Sequence, residues 1–464
     1  MKKGEILEGK VVSTAFPNKG VVMIEDKKVV IKGALEGQVV SFAVKRNRKE
    51  KAEGRLLEVK EKSYLQNCES KCPHFSMCGG CTYQDISYDN QLEFKAKQVK
   101  ELLKDFDYEW QGIKGSPLQF EYRNKMEYSF GDEYKDGPLA LGMHKRNSFY
   151  DIVNTDKCAI VSEDYNKIVS ATLTFAKENG YDYYRKMQHT GFLRHLVIRR
   201  SVKTNDILVN IVTSTEKEFN GEEYVNCLLK LELNGKIVGI LHTLNDSLSD
   251  AVVCDELKVL YGEDFIYEDI LGLKFKISPF SFFQTNSLGA EVLYDTARGY
   301  VGETDNKVVF DLYSGTGTIA QILAAKAKKV YGIEIVEEAV CAAKVNAKLN
   351  NLDNCEFIAG DVFEKLDEIK EKPDIIVVDP PRSGISSKAL KKIADYRVKE
   401  IIYISCNPVS LAENIKEFDE AGYKLIKVTC CDMFPNTGHV ETVALLSRRK
   451  DEPRIQVSMP CKPD

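Results

Sequence analysis

The segment Asp311-Leu312-Tyr313-Ser314-Gly315-Thr316-Gly317-Thr318 completes an apolar run, Val308–Leu312, and leads into a helical pattern. Glycines where a strand turns into a helix let backbone amides approach a ligand closely. The apolar run is the first of seven. Lys329–Ile333, Cys355–Ile358, Asp374–Val378, Glu400–Ile404, Lys424–Val428 and Thr442–Leu446 follow it, separated by helical stretches. Nearly continuous apolar strands alternating with helices predict a doubly wound, mostly parallel sheet from about residue 290 onward.

The ligand of that sheet follows from what the turn lacks. Ile319 and Ala320 follow Gly317-Thr318, so the phosphate-cradling G-x-G-x-x-G spacing is absent. This argues against a dinucleotide and fits a cofactor without pyrophosphate. Twenty-three residues after Asp311, Tyr331-Gly332-Ile333-Glu334 ends the second strand in an acid placed to accept both ribose hydroxyls. Asp361, in Ala359-Gly360-Asp361-Val362, ends the third strand and is placed to face an adenine. A glycine turn at Gly315 and Gly317 with acids in register at the next two strand ends predicts S-adenosylmethionine.

Two later strand ends point to the reaction. Asp379-Pro380-Pro381-Arg382-Ser383-Gly384 ends the fourth strand and Ser405-Cys406-Asn407-Pro408 the fifth. Ligands of open α/β sheets bind outside the carboxyl ends of the strands, so Asp379 and Cys406 are expected in the cofactor's crevice. A lone strand-end cysteine is ordinarily a small core residue; its place between proline-marked loops beside the glycine turn argues otherwise. C5 of uracil is too weak a nucleophile to attack a methylsulfonium. A thiolate adding to C6 turns the ring into an enolate whose C5 takes the methyl group, and a base then removes the C5 proton. Cys406 is the expected nucleophile, with Arg382 favouring its thiolate. His439-Val440-Glu441-Thr442 leads into the last strand, making Glu441 the expected base and His439 the second candidate. Asp379 is expected to hold the uracil edge or the cofactor amine. The rival enzyme reading is an amino-group methyltransferase on adenine, because a D-P-P motif can hold an exocyclic amine.

The rest of the chain suggests the partner. Net charge is −5, yet residues 1–62 carry +6 and the remainder −11, a basic arm on an acidic body. Within that arm, Gly9–Val12, Gly20–Ile24, Gly37–Val44 and Arg55–Val59 read as short strands, with the basic run Lys45–Lys49 as an interruption. They predict a small barrel of the oligonucleotide-binding type. A helix is expected over residues 89–105. Residues 120–275 read as β-rich, including Leu193–Arg200 and Asp206–Val212, and the charged tail after Ser447 as disordered. The N-terminus lacks a secretory signal and no apolar run reaches bilayer length, so a soluble cytoplasmic protein is expected, with no membrane partner. Candidate RNA contacts are Lys45, Arg46, Arg48, Arg123, Lys145, Arg146, Arg194 and Arg199. Four of the thirteen cysteines crowd into residues 68–81, a pattern that suggests metal rather than disulfides. Cys72, Cys78 and Cys81 form C-x5-C-x2-C, and on spacing alone Cys68 is a possible fourth ligand for zinc.

With these motifs in place, the sequence resembles the RNA uracil-5-methyltransferase family over nearly its whole length, specifically the iron–sulfur branch acting on 23S ribosomal RNA. The resemblance implies a multidomain α/β protein: an N-terminal OB-like TRAM barrel (1–62), a central β-rich iron–sulfur domain (63–278), a Rossmann-like methyltransferase domain (279–449) and a tail (450–464). The helix near 89–105 is expected to reach the catalytic domain. The S-C-N-P segment matches the family nucleophile at Cys406, and H-V-E matches the base at Glu441. The family's cofactor contacts match Gln284 in Phe282-Phe283-Gln284, Tyr313, Glu334, Asp361 and Asp379. Ser314 and Thr318 depart from the C-G-x-G-N form of the glycine turn. The resemblance implies a [4Fe–4S] cluster on Cys72, Cys78, Cys81 and Cys158, RNA rather than DNA as substrate, and action as a monomer. Transfer RNA is the alternative target.

Overall fold

Strands that wall a small barrel must bury every second side chain, and the N-terminal segment does so. Val40, Phe42 and Val44 are buried while Lys45 and Arg46 reach solvent. The computed structural model describes residues 1–48 and 51–449. Among them, β1 (Ile6–Ala15), β2 (Lys19–Ile24), β3 (Lys27–Lys32), β4 (Val39–Asn47) and β5 (Lys51–Glu61) close into a barrel in the order β1-β2-β3-β5-β4. The barrel was expected. The basic run does not interrupt it, however: Lys45 and Arg46 continue β4, with Arg46 opposite Glu53 of β5 after a register shift at Lys45, and Lys49 lies outside the described residues.

α1 (Tyr88–Leu102) leads to β6 (Glu109–Lys114), an edge strand of the C-terminal sheet that the sequence reading did not foresee. The middle of the chain forms β7 (Lys125–Asp132), β8 (Leu139–His144), β9 (Ile152–Asn154), α2 (Glu163–Glu178), β10 (Leu193–Arg200), β11 (Asp206–Thr213), α3 (Gly221–Leu229), β12 (Lys236–Leu244) and β13 (Glu256–Gly262). Its strands make one sheet in the order β13-β12-β11-β10-β7-β8-β9. A hairpin, β14 (Ile266–Ile270) and β15 (Leu273–Ile277), and α4 (Ser287–Val301) lead into the C-terminal unit.

That unit contains β16 (Val308–Leu312), α5 (Thr318–Ala324), β17 (Lys329–Glu334), α6 (Glu337–Leu349), β18 (Cys355–Ala359), α7 (Val362–Lys365), β19 (Ile375–Val378), α8 (Ser387–Asp395), β20 (Glu400–Ser405), α9 (Pro408–Glu420), β21 (Tyr423–Cys431) and β22 (Glu441–Arg448). The sheet order is β18-β17-β16-β19-β20-β22-β21-β6. β16 to β20 run parallel, whereas β22 lies antiparallel between β20 and β21. β22 runs through Arg448, so order continues past Ser447, and residues 450–464 of the expected tail lie outside the described residues. Alternation along each strand feeds two cores, since successive side chains point to opposite faces. Val309, Val377 and Ile402 pack with α4, α5 and α6; Phe310, Ile376 and Ile401 pack with α1, α8 and α9. No helix among the described residues is long and apolar enough to cross a membrane.

α1 docks on this unit through Val99 and Leu103 in the second core and through a fully buried ion pair. Lys95 Nζ lies 2.7 Å from Asp432 Oδ1, and neither side chain is exposed. Lys95 also donates to the Phe434 carbonyl at 3.1 Å. Removing one member of a buried pair leaves an uncompensated charge, a loss of about 3–5 kcal/mol. Asp432→Ala is therefore expected to lower unfolding stability by about that amount in urea titrations. The double variant Lys95→Met/Asp432→Leu is expected to recover most of it. Equal stability of Asp432→Ala and the parent chain would overturn this account.

Candidate active site

Short polar sequences shape the carboxyl edge of the C-terminal sheet. In Ser405-Cys406-Asn407-Pro408, Asn407 caps α9 by accepting from the Val409 N–H at 3.2 Å, and Pro408 occupies the helix's first turn, where its missing N–H costs nothing. Cys406 is thereby left at the bend between strand and helix. Asn407 Nδ2 donates to the Arg382 carbonyl at 2.8 Å and ties this bend to the Asp379–Gly384 loop. Across the neighbouring ladder, Ser405 pairs with Thr442 in antiparallel register. Cys406 and Glu441, the next residue on each strand, consequently meet at the same edge.

A cavity of about 900 Å³ opens along that edge. Its walls include Cys406, Glu441, Asp379, Arg382 and His439, together with Gln284, Tyr313, Gly315, Glu334 and Asp361. Gly317 is not itself a wall residue but sets the turn. Its φ is +73°, and a Cβ there would meet the Phe357 ring at 2.6 Å. Gly315 and, unusually for a residue with a side chain, Tyr313 also take left-handed backbone, at φ +53° and +65°. The Glu334 carboxylate is held by N–H groups of Gly315 at 3.0 Å and Val336 at 2.9 Å, leaving lone pairs free for ligand hydroxyls. Asp361 caps α7 by accepting from Phe363 N–H at 2.9 Å, and its exposed side chain still borders the cavity.

Electrostatics follow from burying like charges together. Burial pushes Asp379 up to about 7. Burial and then Asp379 push Glu441 up to about 8, against Arg382. Burial, Glu441 and Asp379 push the Cys406 thiol up to about 11, although the Arg382 guanidinium opposes them and hydrogen-bonds the sulfur. Arg382 is thus the thiol's partner, as expected, but is outweighed in the ligand-free cavity. Burial, followed by Arg382, Lys95 and Arg123, pushes His439 down to about 4, so this ring is neutral near pH 7. Glu441 retains more basicity than His439.

The same cavity is walled further out by Cys72, Cys78, Cys81 and Cys158. The sulfurs influence one another: after burial, Cys81, Cys72 and Cys78 help push Cys158 up to about 12. Cys68 is exposed, does not line the cavity, and directs its thiol at the Gln84 carbonyl. Among the described residues no three His, Cys, Asp or Glu side chains converge closely enough to hold one metal ion. A four-iron cluster takes each thiolate at a separate iron, so it does not require that convergence.

Several expected RNA contacts serve the fold instead. Arg194 is buried and donates to the carbonyls of Asn245, Ser247 and Ser249. Arg199 is buried and holds the carbonyls of Pro279 and Ser281. Arg146 clamps the carbonyls of Phe75 and Cys81. Lys45, Arg46, Arg48 and Lys145 are exposed, and Arg123 lines the cavity. Sequence reasoning missed Tyr294, a buried cavity residue bonded to Gln284. Its only sequence signal was membership of the apolar stripe of α4.

These charges predict how the thiol reacts. Alkylation of Cys406 by iodoacetamide at mildly alkaline pH, followed by peptide mass spectrometry, is expected to slow in Arg382→Ala. It is expected to quicken in Glu441→Gln, which removes a neighbouring anion. The reverse order would overturn the assignment of these charges.

Comparison with known proteins agrees with this geometry. The tRNA (uracil-5-)-methyltransferase family matches residues 87–449. An uncharacterized RNA methyltransferase of Clostridium tetani is 50% identical over 97% of this chain and 99% of its own length. Another, from Caldanaerobacter subterraneus, is 51% identical over 97% of this chain and 100% of its own. Among solved structures, the tRNA (uracil-54, C5)-methyltransferase of Pyrococcus abyssi in complex with S-adenosyl-L-homocysteine is similar, with a TM-score of 0.74, 28% identity, and coverage of 95% of this chain and 100% of that one. The glycine turn, the acids at the strand ends and these relatives agree: the chain belongs to the tRNA (uracil-5-)-methyltransferase family and is an S-adenosylmethionine-dependent RNA methyltransferase.

Proposed function

We propose that this enzyme methylates C5 of a uridine in 23S ribosomal RNA, with Cys406 as nucleophile and Glu441 as base. The observation that carries the reading is the placement of Cys406 and Glu441 side by side at the β20–β22 edge, in the cavity that also holds Asp379 and the glycine turn. S-adenosylmethionine supplies a methyl group on a positively charged sulfur. Gln284, Tyr313, Gly315, Gly317, Glu334 and Asp361 are the residues proposed to hold it, with Asp379 at the boundary between cofactor and base. The Cys406 thiol gives its proton to solvent, the thiolate being favoured by Arg382, and its sulfur bonds to C6 of the uracil. Electron density moves to C5, which takes the methyl group as the sulfur–methyl bond breaks and its electron pair stays on the now neutral sulfur. Glu441 then removes the C5 proton, the S–C6 bond breaks, and the C5–C6 double bond re-forms.

The two roles separate in a covalent-adduct assay. Cys406→Ala is expected to form no adduct with RNA. Glu441→Gln is expected to accumulate a methylated adduct that survives denaturing electrophoresis, because its C5 proton stays in place. An adduct in Cys406→Ala would remove the nucleophile assignment. Both groups work deprotonated, and the free enzyme holds Glu441 up at about 8, so kcat/KM is expected to rise as pH increases through about that value. A rate that falls over that interval would contradict the base assignment.

Cys72, Cys78, Cys81 and Cys158 are proposed to hold a [4Fe–4S] cluster, supported by four cysteine sulfurs lining the same cavity. The cluster would supply a rigid anchor for the surrounding loops. Iron and acid-labile sulfide are expected in the purified protein, lost in Cys158→Ala and kept in Cys68→Ala. Zinc in place of iron would overturn this.

The basic barrel and the cysteine pattern support ribosomal RNA as target. Likeness to the Pyrococcus abyssi enzyme favours transfer RNA as a second reading. Mapping 5-methyluridine in both RNAs from cells lacking the protein separates them.

A further inference from the structure

Phe149 and Tyr150, on the loop between β8 and β9, are 68% and 57% exposed. Two adjacent aromatic rings left in water forgo a large apolar burial, so they need another explanation. The loop is not a loose excursion. Lys145 N–H donates to the Asp151 carbonyl at 2.8 Å, Ser148 N–H to the Lys145 carbonyl at 3.0 Å, and Asp151 N–H to Ser148 Oγ at 3.1 Å. These bonds hold the rings outward. One ring is also backed from beneath: His144 stacks against Phe149 with centroids 6.4 Å apart and planes 24° apart. Lys186 Nζ lies 5.5 Å from the Phe149 centroid, and Tyr150 meets Phe149 edge-on at 5.4 Å.

The loop adjoins the catalytic cavity. Arg146 N–H donates to the Met77 carbonyl at 2.6 Å, and Gly79 N–H to the His144 carbonyl at 3.0 Å. Met143 and Cys78, beside these bonds, are cavity wall. An RNA whose uracil enters the cavity must present that base unstacked, and when the uracil lies in a loop or single strand its neighbours reach the rim unpaired. Bases of any identity stack on aromatic faces.

We propose that Phe149 and Tyr150 form a stacking platform for unpaired nucleotides flanking the target uridine. The platform rests on the reading of the cavity as a uracil site and adds a binding surface outside it. It acts on RNA capture and leaves the chemical step alone.

The test uses the full-length protein, a twelve-nucleotide oligouridylate, a blunt RNA duplex of equal length, and bulk ribosomal and transfer RNA from cells lacking the enzyme. Phe149→Ala/Tyr150→Ala is expected to weaken oligouridylate binding by roughly tenfold to a hundredfold, the range for losing one or two stacked bases. Duplex binding is expected to stay unchanged. With bulk RNA, KM is expected to rise while kcat holds, and Phe149→Trp/Tyr150→Trp is expected to restore KM. Unchanged oligouridylate affinity and KM in the double alanine variant would overturn the platform, and would point to a protein partner for these rings. Failure of the uracil reading looks different: the parent enzyme would form no covalent adduct with 5-fluorouridine-substituted bulk RNA, whatever the variant's affinity.

Discussion

The antiparallel insertion of β22 between β20 and β21 is the constraint on which the site depends. In a wholly parallel sheet only strand ends reach the ligand edge, and a residue that begins a strand lies at the far side. Because β22 runs the other way, its first residue, Glu441, arrives where β20 ends. The Ser405–Thr442 register then sets Cys406 beside it. A slip of one residue would turn every β22 side chain to the opposite face and carry Glu441 away from the cavity.

A strand start is only as well placed as the loop before it, and this loop is held from several directions. Lys95 secures Asp432 and the Phe434 carbonyl, while the Tyr122 hydroxyl donates to the Pro435 carbonyl. Asn436 is fully buried in left-handed backbone. It accepts from Thr82 and Tyr83 N–H groups, donates to the Gln119 carbonyl, and bonds Gln91 in both directions. Thr82 directly follows Cys81, so the cysteine-bearing segment and the strand carrying Glu441 share one hydrogen-bonded hub. Gly438 packs against the Pro17 carbonyl of the barrel, bringing the N-terminal unit to the same hub.

Enclosure gives the site its charge balance. Asp379, Glu441 and Cys406 share a poorly solvated space: burial raises all three, Asp379 raises Glu441 further, and both carboxyls raise Cys406. Arg382 offsets part of this but not all. Such a cavity favours a cationic ligand, because a positive charge favours the ionised form of all three groups at once. The glycine turn shapes the same cavity by a different means: left-handed backbone at Tyr313, Gly315 and Gly317 clears space and directs the Gly315 N–H to Glu334.

Much of this was legible in the chain itself. Apolar runs with helical spacing between them marked the strands of the C-terminal sheet, and the short alternating strands of residues 5–60 marked the barrel, because periodicity is a local property. The strand-end positions of Glu334, Asp361, Asp379 and Cys406 followed from the same periodicity. Tertiary structure alone decided which distant residues meet. The antiparallel direction of β22, the joining of β6 to its sheet, and the Lys95–Asp432 pair depend on long-range contacts that no local pattern encodes. The arginines show the difference most plainly. Arg194 and Arg199 look like polyanion contacts in sequence, yet the fold surrounds them with backbone carbonyls and closes them off from solvent. Residue type states what a side chain can bond, and only the packed chain determines which partner reaches it first.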